Sequence, residues 1–158
     1  MRCVLGVTML VTLAAPATSD PMARTPALSL DHVGIQATDL DRSVDFYTRV
    51  LGLHEVPAPF PRTAGRWIAL DGGRMLHIVA HRTADAPHNR WDHFALACSD
   101  LDGMIAHLDA VHVAWTDMNG GHVVQMRPDH VRQIFVGDPD GYNIELNDAN
   151  GSLPERRR

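Results

Sequence analysis

Along residues 28–36, and again along 91–98, apolar and polar side chains alternate with a period of two, the pattern of a strand with one face buried. Each run leads into a stretch whose apolar residues recur three and four apart. These are Leu40, Val44, Tyr47, Val50 and Leu51 in the first case and Leu101, Ile105, Leu108 and Val111 in the second, which predicts helices over about 39–51 and 100–111. Both helices start at Thr/Ser-Asp-Leu-Asp, where a side-chain oxygen can cap free amides and an acid sits in the first turn. Short strands are expected to follow near 53–56, 66–70 and 74–80, and near 112–116, 122–126, 131–137 and 142–147. Gly72-Gly73 and Asp138-Pro139-Asp140-Gly141 read as turns, the latter of type I.

The two stretches are copies of one module. Asp31-His32-Val33-Gly34-Ile35 through Asp41 matches Asp92-His93-Phe94-Ala95-Leu96 through Asp102 at a constant offset of 61 (93 − 32). Gly73 to His77 matches Gly141 to Glu145 at an offset of 68 (145 − 77). The fold class is therefore α+β, with two tandem βαβββ modules over about 28–83 and 91–148. Each sheet has one face covered by its helix, so the opposite faces are free to line a shared cavity.

Alternation sorts the side chains between those faces. Val33 and Ile35, Leu76 and Ile78, Phe94 and Leu96, and Ile144 and Leu146 belong to the helix side, which leaves His32, His77, His93 and Glu145 on the other. Imidazole and carboxylate on adjacent strands suit one divalent ion such as Zn, Ni, Fe, Mn or Co. The remaining seven His have no repeat partner and read as surface residues, and Cys98 falls on the apolar face as packing.

Fourteen basic and 19 acidic residues, every one of the basic ones Arg, give a net charge of −5, which argues against nucleic acid as a partner. Residues 1–19 have the order of a secretory signal: Arg2, an apolar run from Cys3 to Ala15, then small residues. That run is shorter than the roughly 20 residues of a membrane span. The expected location is periplasmic or secreted, or cytoplasmic if Met22 is the true start; 20–27 reads as a linker and 149–158 as a flexible tail.

The chain resembles the vicinal oxygen chelate superfamily, which includes glyoxalase I, fosfomycin-resistance proteins and extradiol dioxygenases. The resemblance lies in Leu30 to Ile35, Asp41-Arg42-Ser43-Val44-Asp45-Phe46-Tyr47, Val50-Leu51-Gly52-Leu53, Asp92 to Leu96 and Phe135 to Leu146, and the type is nearest to glyoxalase I. It implies an eight-stranded open cup with helices outside and a divalent metal within, His32, His93 and Glu145 at ligand positions. His77 stands where glyoxalase I has Glu or Gln, a residue that also moves the substrate proton; here it is a candidate ligand or base, with Glu145 the other candidate catalytic group. The resemblance leaves open whether the modules pair within one chain or across a homodimer. The Lys that fosfomycin-resistance enzymes use is absent.

Arg66 and Trp67, at a predicted strand start, and Arg132 are candidate contacts for a small-molecule substrate. Two functional classes fit. One is a divalent-metal-dependent glyoxalase-type enzyme, a lyase or isomerase that chelates vicinal oxygens and transfers a proton. The alternative is a metal-binding or small-molecule-binding module of resistance type without turnover, or a ring-cleaving dioxygenase.

Overall fold

A computed structural model describes residues 28–83 and 88–149. The expected export signal, linker and most of the tail lie outside these residues. Module one runs β1 (His32–Gln36), α1 (Leu40–Asp45), β2 (His54–Val56), β3 (Gly65–Ala69) and β4 (Met75–Val79). Module two runs β5 (His93–Ala97), α2 (Leu101–Ala110), β6 (Trp115–Thr116), β7 (Gln125–Met126), β8 (Arg132–Gly137) and β9 (Asn143–Asn147). The sheet orders correspond, β1-β4-β3-β2 and β5-β9-β8-β6, with β7 added beside β8. In each, the first strand pairs in parallel with the last and the rest are antiparallel. The expected βαβββ order appears in module one and, with β7 added, in module two, so the described strands number nine in two sheets of four and five where one eight-stranded cup was expected.

Both helices begin as their sequences require. The Asp39 and Asp100 carboxylates accept from the amides of Arg42 (3.1 Å) and Gly103 (2.9 Å). The first helix changes geometry part-way: Phe46–Val50 form a π turn closed by Leu51 N–H donating to the Phe46 carbonyl at 3.1 Å. That wider turn buries the adjacent residues Phe46 and Tyr47 together. Gly52, at φ 71°, then reverses the chain.

One apolar core spans both modules, joining Ile35, Ile68, Leu76 and Ile78 to Leu101, Leu108, Ile134, Ile144 and Leu146. Polar bonds fasten the modules at one end. Tyr47 Oη donates to the Asp138 carboxylate at 3.0 Å, and Asp140 accepts from Thr38 Oγ1 (2.6 Å), Thr38 N–H (3.1 Å) and Ser43 Oγ (3.1 Å). The edge strands β1 and β5 line a common groove of about 430 Å³, whose walls include Gly34, Trp91, His93 and Asn143. No helix among the described residues is long and apolar enough to cross a membrane.

Candidate metal centre

The strand registers fix which side chains share the concave faces. In the first sheet Gly34 stands opposite His77 and His77 opposite Trp67, so these residues, with His32 two positions before Gly34, lie on one face. In the second, Ala95, Glu145 and Phe135 form one row, with His93 on the same face two positions before Ala95. The four predicted ligands do occupy the sides away from the helices, as two pairs.

His32 and His77 form the first pair, ring centroids 5.9 Å apart and edge to face. His32 Nδ1 lies 2.7 Å from Asp31 Oδ2 and donates to it, which leaves Nε2 as the nitrogen free to ligate. His77 stacks on Phe60 at 4.7 Å and meets the edge of Trp67 at 6.0 Å. Its Nε2 reaches over Gly65, where an added Cβ would lie only 3.1 Å away, so the glycine makes room for the ring. Burial, and secondarily the nearby His32, hold the His77 pKa below the ordinary histidine value, and the neutral imidazole prevails at neutral pH. The Trp67 indole N–H, beside it, is buried without a hydrogen-bond partner.

His93 and Glu145 form the second pair, and their geometry is the most informative at the site. His93 Nδ1 is 3.0 Å from the Trp91 carbonyl oxygen, which can only accept, so Nδ1 carries the proton. Nε2 then faces Glu145 Oε2 at 3.2 Å. A lone pair and a carboxylate oxygen so close need a proton or a cation between them. Two atoms 3.2 Å apart and each about 2.1 Å from one ion would subtend roughly 100° at it, between octahedral and tetrahedral angles. The donor set therefore fits a divalent metal. Glu145 is buried, and its other oxygen accepts from Arg127 Nη1 (3.1 Å) and Asn147 Nδ2 (2.6 Å). The Gln133 amide lies across both oxygens at 3.2 and 3.3 Å.

Among the described residues, no group of three or more His, Cys, Asp or Glu side chains is gathered tightly enough to hold a metal, and the His32/His77 and His93/Glu145 pairs stand as separate groups. The predicted substrate contacts separate by face. Trp67 lies on the concave side with His77. Arg66, one residue earlier, points to the helix side, where it bonds Asp41, Glu55 and the Arg62 carbonyl. Arg132 shares the helix-side face of Ile134 and ties Asp148 (2.8 Å) to Asp102 (2.9 Å). Sequence reasoning missed Arg127, Asn147 and Gln133 around Glu145. Alternation on β8 and β9 could have found the last two; Arg127 sits in a turn, where no periodicity marks it.

Residues 29–146 match the family model of the Glyoxalase/Bleomycin resistance protein/Dioxygenase superfamily. The chain belongs to this superfamily. Its members typically hold a divalent metal ion and include lactoylglutathione lyases. The chain is 28% identical over 138 residues to "Lactoylglutathione lyase GLX1" of Arabidopsis thaliana, covering 78% of this chain and 45% of that protein. It thus spans about half the length of that relative. Among solved structures it resembles a putative glyoxalase family protein from Bacillus anthracis (25% identity, TM-score 0.64, 78% of this chain and 97% of that one). It shares its fold with the oxidase ChaP-H2 (21% identity, TM-score 0.64, 82% and 96%).

Proposed function

We propose that this superfamily member is a divalent-metal-dependent enzyme of the glyoxalase type, a lyase or isomerase acting on a small oxygenated molecule. The observation that carries this reading is the approach of His93 Nε2 to Glu145 Oε2 at 3.2 Å with Nδ1 already committed, a pair arranged for a cation. His32, His93 and Glu145 would hold the ion with His77 beside His32 as the base, and a homodimer would bring the His32/His77 pair of one copy to the His93/Glu145 pair of another. Support for that assembly is the exposure of Trp91 (69%), which lines the groove beside His93 and offers apolar surface that a second copy would cover.

A bound ion would supply Lewis-acid stabilisation of charge developing on two vicinal substrate oxygens. The chain's residues supply the rest. His77, neutral at pH 7, can accept a proton from a hydroxyl-bearing substrate carbon next to a carbonyl and return it to the carbonyl carbon; with the hydroxyl proton passing to the other oxygen, the net change is an isomerisation. Phe60 and Trp67 form an apolar wall that keeps water from that proton. Glu145, pinned through Oε1, would hold the ion through Oε2.

The test is metal analysis of the purified protein and of its chelator-stripped form reloaded with Zn, Ni, Fe, Mn or Co. Turnover of a 2-oxoaldehyde hemithioacetal, an epoxide and a catechol is then measured with each ion. One ion per chain, lost in His93→Ala and Glu145→Gln, with turnover of the hemithioacetal, is expected. Undiminished metal in both variants would overturn the site. Metal without turnover of any substrate would favour the binding module, and turnover of the catechol the dioxygenase.

A further inference from the structure

The two oxygens of Glu145 have different surroundings. The Gln133 amide lies against both, at 3.3 and 3.2 Å, but otherwise Oε2 faces only His93 Nε2 at 3.2 Å, whereas Oε1 takes hydrogen bonds from Arg127 Nη1 at 3.1 Å and Asn147 Nδ2 at 2.6 Å. Arg127 is itself held. Its Nε and Nη2 donate to the two carboxylate oxygens of Asp129 at 3.1 and 2.6 Å, so every guanidinium nitrogen is engaged and the fork has one orientation. The turn that carries both residues is closed by backbone bonds, Arg127 N–H to Val131 O at 2.8 Å and His130 N–H to Arg127 O at 3.0 Å. A chain of contacts thus runs from Asp129, at the surface, through Arg127 to the buried Glu145.

Module one has no counterpart. At the repeat offset of 68, His77 replaces Glu145 and Val79 replaces Asn147, and His77 is steadied by Phe60 and Trp67 rather than by ions. The ionic brace therefore belongs to module two's carboxylate and is not a general feature of the fold.

We infer that Arg127, oriented by Asp129, is a positioning residue for Glu145: by occupying Oε1 it presents Oε2 alone, beside His93 Nε2, to the metal. This rests on the metal reading above. A carboxylate left free to rotate can ligate through either oxygen or both; one pinned at Oε1 arrives as a single-oxygen ligand and leaves a further coordination position to the substrate. Arg127 acts only through Glu145.

The experiment is Co(II) binding to the chelator-stripped full chain, read by titration and by the visible ligand-field spectrum. Wild type is compared with Arg127→Met, Arg127→Lys, Asp129→Asn and, as the control on the site itself, Glu145→Gln. Arg127→Met is expected to weaken Co(II) binding by about 10–100-fold and to change the spectrum, the loss usual when a partner of a metal ligand is removed. Asp129→Asn, a change in the surface turn that keeps the fold intact, is expected to shift both readouts the same way by less. Arg127→Lys, which keeps the charge but cannot bridge both carboxylates, should restore affinity only in part. If Glu145→Gln weakens binding while Arg127→Met and Asp129→Asn leave affinity and spectrum unchanged, Arg127 has no positioning role and the metal site stands. Tighter binding in Arg127→Met would also overturn the inference, because Arg127 would then be competing with the ion. Wild-type protein that binds no Co(II), or a Glu145→Gln variant that binds it undiminished, would remove the metal reading and this inference with it.

Discussion

Replacing Asp140 by Ala should loosen the junction of the two modules, and the structure sets the size of the effect. The Asp140 side chain is 2% exposed, and its carboxylate accepts from Thr38 N–H at 3.1 Å, Thr38 Oγ1 at 2.6 Å and Ser43 Oγ at 3.1 Å. Arg42 Nη2 stands 3.9 Å away. Every donor belongs to module one and the acceptor to module two. Ser43 is fully buried, so its hydroxyl finds no water when the carboxylate goes. A hydrogen bond to a charged partner is worth about 1.5–3 kcal/mol, and bonds sharing one acceptor add incompletely, so Asp140→Ala should cost about 3–5 kcal/mol. Asp140→Asn keeps one accepting oxygen and should cost about 1–3 kcal/mol. Burial raises the Asp140 pKa, but the Thr38 and Ser43 bonds and the Arg42 charge outweigh it, and the folded value lies below the ordinary carboxylate range. The sign follows: this stability is fully present above the unfolded pKa of about 3.9 and is lost as pH falls through the lower folded value. Urea unfolding at pH 7, repeated in steps from pH 5 to pH 3, measures both effects. The wild type should lose stability below about pH 4, and Asp140→Asn should lose less over the same interval. An Asp140→Ala cost under about 1 kcal/mol at pH 7, or the same acid loss in Asp140→Asn as in the wild type, would refute the reasoning.

Tyr47→Phe should cost about 1.5–3 kcal/mol in the same assay, because it leaves the buried Asp138 carboxylate without the hydroxyl that donates to it at 3.0 Å. Phe60→Ala should raise the His77 pKa toward the ordinary value of about 6.5 in metal-free protein, since it strips the stacked ring that buries the imidazole; NMR titration of the imidazole protons checks this, and an unmoved midpoint contradicts it. Arg66→Gln should lower stability, because the residue is 9% exposed and its guanidinium bonds Asp41 and Glu55, yet leave metal content unchanged; loss of metal without loss of stability would return Arg66 to the site.

What the sequence made legible depended on periodicity. A strand of five residues with a buried face repeats its pattern often enough to be read, and β1, β4, β5 and β9 fall inside the predicted runs. β6 and β7 lie at the ends of the expected stretches 112–116 and 122–126, because two residues are too few for alternation to fix their bounds. The π turn was hidden because an apolar spacing of three and four continues through Val50 whether each turn holds 3.6 residues or slightly more. Arg66 and Trp67 show a rule left unapplied: neighbours on a strand face opposite ways, and buried Ile68 already assigns Arg66 to the helix side. The same parity ties Arg132 to Ile134.

The candidate site was readable to the level of faces and no further. Alternation could put His32, His77, His93 and Glu145 on the concave sides, because a side chain's face depends only on its own strand. Which of them meet depends on how two sheets are set against each other, and that follows from contacts such as Thr38 to Asp140 that link residues about a hundred positions apart. Duplication explains why the faces repeat and also why their chemistry does not. Backbone pairing preserves the position of residue 77 or 145 whatever side chain it bears, whereas the support around that side chain comes from the connections. In module one the β2–β3 connection carries Phe60, which stacks on a neutral imidazole; in module two the β7–β8 turn carries Arg127, which pins a carboxylate. Each connection supplies the partner its own residue requires, a flat ring for a ring and a cation for an anion, so the two modules diverge in their loops while their strands keep the same register.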